Sequence, residues 1–420
     1  TLAMLTLDRY LGFHFFTNSG GGNMMMFINL IWAWGHPEVY ILVLPAFGIF
    51  SEVFSTFSSK PLFGYRSMVA ATLFICIVSF CVWLHHFFTM GAGGNVNAVF
   101  GIATSIIAVG TGVKVYNWIF TMYGGRLRFT TPILWSLGFL TTFIVGGMTG
   151  VMLAVPPADF MVHNSMFLVA HFHNVIISGV VFGVFAGITY WFPKAFGFSL
   201  HEGWGKTAFW FSLAGFVIVF TCLYAVGIEG MTRRLQHIEV DEWAPWLRVS
   251  VIGILVMIAG VVCQVVQLFV SIRRRDELRD VTGDPWDGRS LEWATPSPPP
   301  AFNFAVLPNV QDEEAYWTIK QKAIETQRLG PEPKYHPIEM PRNSPTGIVT
   351  AFFATFTGFA LIWDIWWLAS ACLFGAYVTF VVFAWRDVAE YEIPAEEVAR
   401  VDRARRAARI AWMERQERAT

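Results

Sequence analysis

Five histidines stand inside strongly apolar runs, where imidazoles need a reason to be. His171 and His173 lie in the run 165–192, which holds one Asn and no Asp, Glu, Lys or Arg and is long enough to cross a bilayer. Ionisable residues within a membrane are costly and mark functional sites. Residues two apart on a helix point about 200° from each other, so these imidazoles leave opposite faces and do not easily share one metal ion. They imply a helix wedged between two cofactors; the plainer alternative is a pair of structural histidines bonded to neighbouring helices.

His36, His85 and His86 supply three more imidazoles from two further runs. Imidazole suits copper, zinc, iron and nickel. Adjacent histidines differ by about 100° on an ideal helix, so His85 and His86 converge on one ion only if the helix end is distorted, and Gly91-Ala92-Gly93-Gly94 just beyond offers that freedom. Tyr40 shares the helix face of His36, where a phenol beside a metal can supply a proton and an electron; a core tyrosine with a satisfied hydroxyl is the alternative. Glu38 leaves the same helix on nearly the opposite side and is a proton carrier if water reaches it. Lys114 lies about 12 Å from the nearer helix end and reads either as a step in a polar track through Thr111 toward Tyr40 or as a snorkelling lysine. Arg233 and Arg234 want an anionic partner, which cofactor carboxylates or the loop's own Glu239, Asp241 and Glu242 would provide.

The elements that must position these residues follow from composition. Of 420 residues 55% are hydrophobic and 14% charged, with 18 Trp and 40 Phe, the profile of a multi-span membrane protein. The fold class expected is all-α, a polytopic transmembrane bundle of about nine spans near 25–53, 67–89, 98–122, 131–153, 165–192, 207–230, 247–273, 347–365 and 368–385. The loops after the first, third, fifth and seventh spans carry Lys60/Arg66, Arg126/Arg128, Lys194/Lys206 and Arg273 to Arg275, which places them in the cytoplasm. All five histidines then fall at one level in the outer half, His36 about 16 Å deep. Four regions are expected: core helices 1–273, a polar cytoplasmic connector 274–346, a transmembrane hairpin 347–386, and a charged tail 387–420. The tail, with Arg403, Arg405, Arg406 and Arg409, reads as a solvated helix or a contact with anionic lipid. The five cysteines show no paired spacing and imply neither disulfides nor a thiolate metal site. The opening on Thr1, without initiator Met or signal peptide, reads as a segment of a longer chain.

Together, Trp34-Gly35-His36-Pro37-Glu38-Val39-Tyr40, Trp83-Leu84-His85-His86, Thr111-Gly112-Val113-Lys114 and His171-Phe172-His173 resemble subunit I of the haem-copper terminal oxidases, closest to the bo-type ubiquinol oxidases of bacteria. The likeness extends through Gly283-Asp284-Pro285-Trp286 and Leu291-Glu292-Trp293. It implies one copper ion on His36, His85 and His86, with Tyr40 covalently joined to His36. It also implies a high-spin haem, of o type, on His171, and a low-spin haem, of b type, on His173. Arg233 and Arg234 would hold haem propionates, Lys114 and Thr111 would line one proton path, and Glu38 would end another. Asp159 and His163 fall where the cytochrome c branch builds a magnesium site. That branch typically has His-Asp where this chain has His163-Asn164, and Asn164 resembles the quinol branch.

The resemblance therefore implies an enzyme of the bacterial inner membrane that passes electrons from ubiquinol to O2, makes water and pumps protons. Its partners would be subunits II and III and an upstream part of subunit I that carries the second low-spin haem ligand; nucleic acid is not among them. A cytochrome c oxidase is the alternative donor reading, and a nitric oxide reductase relative fits less well because that branch lacks the His36–Tyr40 pairing and the Lys114 track. A non-enzymatic metal transporter would explain buried imidazoles but not two that face apart.

Overall fold

The computed structural model describes residues 1–326, 332–386 and 389–417. It forms two compact units, Thr1–Pro298 and Pro299–Thr420. Asp387 and Val388, at the head of the expected tail, and residues 418–420 lie outside the described residues, as does the side chain of Arg409.

The first unit is an all-α bundle with seven helical stretches long and apolar enough to cross a membrane. After a short α1 (Leu2–Leu11) come α2 (Met24–Ser58), α3 (Tyr65–Ser79), α4 (Gly94–Met122), α5 (Thr131–Ala154) and the short α6 (Pro156–Val162). Then follow α7 (Met166–Ile176), α8 (Phe182–Phe196), α9 (Glu202–Ile228) and α10 (Ala244–Arg273). Aromatic side chains fill the interior: Phe50 and Phe139 stack at 3.7 Å, and Phe47 packs against Trp118 and Phe143.

Two of the seven stretches are broken within their length, and both carry histidines. The second begins as α3, breaks at Phe80, and resumes as a 3-10 turn, Trp83–Met90, in which Phe87 leaves helical geometry altogether (φ −149°, ψ 40°). The distortion required of His85 and His86 is thus present, but it starts before them; Gly91 (φ 86°) and Gly93 (φ 96°) turn the chain afterwards in a region of φ that favours glycine. The fifth stretch joins α7 to α8 through a π-helical turn, Ile177–Val181, a feature found mostly as single turns at functional sites. Gly179 in this turn and Gly183 at the start of α8 lie against α2, so close that an added Cβ would meet Val43 or Ala46, respectively, at 2.9 Å. The absence of side chains lets the two backbones approach.

The polar stretch after α10 does not run free. Residues up to Pro298 belong to the first unit and are pinned to the helix ends by side chains inside it. The Lys194 ammonium donates to the carbonyls of Gly283 and Thr295, each at 2.7 Å, and the Trp286 indole donates to Tyr190 O at 2.8 Å. Trp191 donates to Glu292 Oε1 at 3.0 Å, while Arg128 reaches Trp286 O and Arg289 reaches Lys60 O. Trp293 is fully buried in this seam, packed edge-on to Tyr190. A polar sequence is consistent with burial when its polar groups find carbonyls to bond.

In the second unit, α12 (Thr346–Ile362) and α13 (Trp366–Ala384) pack against each other, preceded by α11 (Ala315–Thr326). Only α13 is long enough to count as a membrane span; α12 has 17 residues, about 25 Å of helix, so eight described helical stretches reach span length where nine were expected. A small antiparallel pair, β1 (Ile338–Pro341) with β2 (Glu390–Ile393), lies outside the all-helical expectation. The tail helix α14 (Ala395–Glu417) is not merely solvated. Its Asp402 accepts from the Tyr335 hydroxyl at 2.9 Å, and Arg403 pairs with Glu332 at 2.7 Å.

Replacing Trp293 by Ala is expected to destabilise the first unit by about 3–5 kcal/mol. Thermal unfolding of the detergent-solubilised complex and proteolysis within 279–298 would measure it; unchanged resistance to both would mean that the seam does not hold the helix ends.

Candidate metal and cofactor centre

α2 contributes His36, and the 3-10 turn contributes His85 and His86. Their ligand atoms all lie within 4.8 Å of one another. His36 Nδ1 and His86 Nε2 are 3.1 Å apart, the spacing that metal–nitrogen bonds of about 2.0 Å impose on two imidazoles sharing an ion. The hydroxyl of Thr104 donates to Phe100 O at 2.6 Å, so its oxygen must accept from His85 Nδ1 at 3.0 Å. That fixes the His85 proton on Nδ1 and leaves Nε2 with its lone pair. Trp32 lies flat on His86 at 3.8 Å, and Asn97 donates to Phe88 O at 2.9 Å, anchoring the end of the turn.

The Tyr40 ring is 4.8 Å from that of His36. His36 Nε2 is buried without a hydrogen-bond partner. Glu38 is half-buried on the same helix.

His171 and His173 leave α7 in different directions. His171 turns to α5, with Nδ1 at 3.0 Å from Gly146 O and 3.2 Å from Thr149 Oγ1. Its ring comes so close that a Cβ on Gly150 would sit 2.8 Å from Cε1. His173 turns toward α9, where its ring stacks on Phe220, and its Nδ1 lies 2.9 Å from Val169 O. Each carbonyl can only accept, so each imidazole carries its proton on Nδ1 and presents Nε2 as a ligand atom. These donor sets fit one ion held by three imidazoles and two axially ligated groups on either side of α7.

Lys114 is buried and does not snorkel. Its ammonium donates to Thr72 Oγ1 on α3 at 2.5 Å and lies over the Phe47 ring, while Thr111 bonds its own helix at Ile107 O. Arg233 and Arg234 follow the end of α9, where the chain returns to the head of α7: Met166 N donates to Met231 O at 2.8 Å and Arg233 N to Asn164 O at 3.0 Å. Among the described residues neither arginine pairs with Glu239, Asp241 or Glu242. Arg233 Nε is buried without a partner, and burial, followed by the neighbouring Arg234 charge, lowers the proton affinity of Arg233. A cation so placed fits an anionic group. Asp159 and His163 bond each other at 2.7 Å and form a pair rather than a set of three.

Thr72, Thr104, Thr149 with the Tyr224 hydroxyl 3.0 Å from it, and Trp32 complete these arrangements, and sequence reading missed them. A threonine, tyrosine or tryptophan in an apolar run carries no signal until a partner faces it.

The fold is that of a multi-pass membrane protein, and it brings together three imidazoles that could hold a metal ion beside a helix with two further imidazoles. Residues 1–256 match the family model described as Cytochrome C and Quinol oxidase polypeptide I, and the chain belongs to that family. A probable cytochrome c oxidase subunit 1 of Bradyrhizobium diazoefficiens is 70% identical over 96% of this chain and 60% of its own length. A ubiquinol oxidase subunit 1 of Acetobacter aceti is 55% identical over 96% of this chain and 60% of its own. A cytochrome bo(3) ubiquinol oxidase subunit 1 of Buchnera aphidicola is 56% identical over 96% and 61%. The chain thus spans about 60% of the length of these curated relatives. A heme-copper terminal oxidase dimer solved by cryo-EM shares the fold, with TM-score 0.54 and 21% identity over 58% of this chain and 48% of that one.

Thr104→Val should lower metal affinity at the three-imidazole centre by about 10- to 100-fold. Competition with a copper chelator would measure it. Unchanged affinity would show that Thr104 does not set the His85 tautomer.

Proposed function

We propose that this chain forms the catalytic core of a bacterial respiratory quinol oxidase that reduces O2 to water and pumps protons. His36, His85 and His86 would hold copper, His171 a high-spin haem of o type, and His173 a low-spin haem of b type. When bound, these groups supply the electron transfer and the metal positions between which O2 is reduced. The observation that carries the reading is the convergence of three imidazole ligand atoms within 4.8 Å beside an α7 helix whose two imidazoles serve opposite sides. A transporter has no use for the second feature.

The chain's own residues do the rest. Tyr40, beside His36, is placed to give a proton from its hydroxyl and an electron from its ring. The unpartnered His36 Nε2 is the atom left for the expected covalent link to Tyr40. Lys114, held by Thr72 and preceded by Thr111, is placed to carry a proton on Nζ, and Glu38 to end a second path. Arg233 and Arg234 would hold propionates. Ubiquinol, subunits II and III, the bacterial inner membrane and an upstream part of subunit I with the remaining haem ligand complete the reading.

A cytochrome c donor is the second reading, favoured by the name of the 70%-identical Bradyrhizobium relative. Against it stands Asn164. Its backbone has φ 55°, a left-handed conformation that Asn and Asp both tolerate, so the backbone does not dictate the amide. With Asn there, Asp159 and His163 have no neighbouring carboxylate on that loop, and a hard ion such as magnesium is left with a poor oxygen set.

Reduced-minus-oxidised and CO difference spectra of the purified complex, with haem extraction and oxygen uptake driven by ubiquinol or by reduced cytochrome c, test the proposal. Ubiquinol-driven uptake with b- and o-type haems is expected; cytochrome c-driven uptake with a-type haem would favour the second reading, and absence of haem would end both. Tyr40→Phe is expected to cut oxygen uptake by at least about 10²-fold with haem and copper contents retained, and a variant that keeps its rate would remove Tyr40 from the chemistry.

A further inference from the structure

Behind His171, on the side away from its ligand atom, lies a chain of hydrogen bonds that the proposed reaction does not use. Thr149 Oγ1 lies 2.8 Å from Gly146 O, 3.2 Å from His171 Nδ1 and 3.0 Å from the Tyr224 hydroxyl. Tyr224 in turn accepts from Asn174 Nδ2 at 3.3 Å. Donor counting gives the chain one direction. Gly146 O can only accept, so the single Thr149 proton goes to it, and the Tyr224 proton goes to Thr149. Asn174 supplies Tyr224. His171 Nδ1–H is left to divide itself between Gly146 O, already engaged by Thr149, and Thr149 Oγ1, already engaged by Tyr224.

We infer that Tyr224 and Thr149 are positioning residues that hold the His171 imidazole neutral, by occupying the two acceptors its Nδ1–H would otherwise bond strongly. A ligating histidine becomes more basic as its other N–H finds a better acceptor, and successive donors in a chain reinforce one another. Asn174 and Tyr224 therefore act through Thr149 to limit how anionic the imidazole becomes. The position of Tyr224 does not depend on its hydroxyl, because its ring packs edge-on to Phe167 at 5.0 Å, against the Leu153, Val162 and Phe167 cluster. The inference rests on the reading of His171 as an axial haem ligand.

Resonance Raman spectroscopy of the reduced, purified complex tests it through the iron–histidine stretching band, identified by its shift on iron-isotope substitution. Tyr224→Phe frees Thr149 Oγ1 to accept from His171, and Thr149→Val frees Gly146 O to do so. Both are expected to move the band to higher frequency and the haem midpoint potential lower, with haem content retained. Thr149→Ser, which keeps the hydroxyl, should leave the band in place, and the double variant should shift no further than Thr149→Val alone. A band unmoved or lowered in both Tyr224→Phe and Thr149→Val would overturn the inference while leaving His171 as ligand. A wild-type complex with neither an iron–histidine band nor a CO-binding haem would overturn the ligand assignment itself, and the inference with it. If Tyr224→Phe fails to assemble, the contrast between Thr149→Val and Thr149→Ser decides.

Discussion

An imidazole buried inside a membrane protein has two nitrogens to satisfy away from bulk water. A buried polar atom left without a partner costs about 1–3 kcal/mol, and this cost shapes the centre. His85, His171 and His173 each commit Nδ1 to a fixed acceptor, respectively Thr104, Gly146 with Thr149, and Val169. Once Nδ1 is committed, the tautomer is set and Nε2 must point the other way. His36 is reversed: Nδ1 faces His86 and Nε2 is the orphan. The directions in which ligand atoms point are thus decided by the groups behind the rings.

Those groups face the rings only because the helices bend where they do. A regular helix would separate His85 from His86 by about 100°, and the 3-10 turn brings their ring centroids to 4.3 Å. Irregular backbone at membrane depth is tolerated where protein covers it, and here Leu84, Phe87 and Phe88 are buried, with Asn97 bonded to the turn's free carbonyl at Phe88. The π turn after α7 serves the neighbouring element. Gly179 in that turn and Gly183 at the start of α8 lie against α2, so the helix that carries His36 and the stretch that carries His171 and His173 meet at glycines. The two helices are therefore brought close where glycine backbone meets the side chains of Val43 and Ala46.

Much of this was legible in the sequence because membrane helices advertise their exceptions. In runs that exclude charge, His36, His85, His86, His171, His173 and Lys114 stand out individually, and helical spacing alone separates the faces of His171 and His173. Seven spans of the first unit followed from apolar length. The partners behind the rings were not legible: Thr104, Thr149 and Thr72 look like any threonine that bonds its own helix, and choosing among them needs the neighbouring helix in place. The seam at 279–298 was hidden for a related reason. Asp284, Arg289 and Glu292 read as solvated polarity, and only the carbonyls and aromatic faces at the helix ends turn that polarity into a buried contact. The length of α12 and the β1–β2 pair depend on local geometry that apolar counting does not resolve.

The loop after α9 extends the same logic to charge. The Met166–Met231 and Arg233–Asn164 backbone bonds tie the start of α7 to the end of α9, so the Arg233 backbone is tied to the helix that carries His171 and His173. Arginine keeps its charge when buried, and a buried guanidinium nitrogen without a partner favours any anion that reaches it. A group ligated by His171 or His173 and carrying carboxylates would be held at two places on one frame, by a neutral nitrogen at its centre and a cation at its edge. Two-point fixation restricts rotation about the axial bond, which a single imidazole leaves free. On that reading the arginine pair would act as an orienting device as much as a neutralising one, without placing a further charge among the imidazoles.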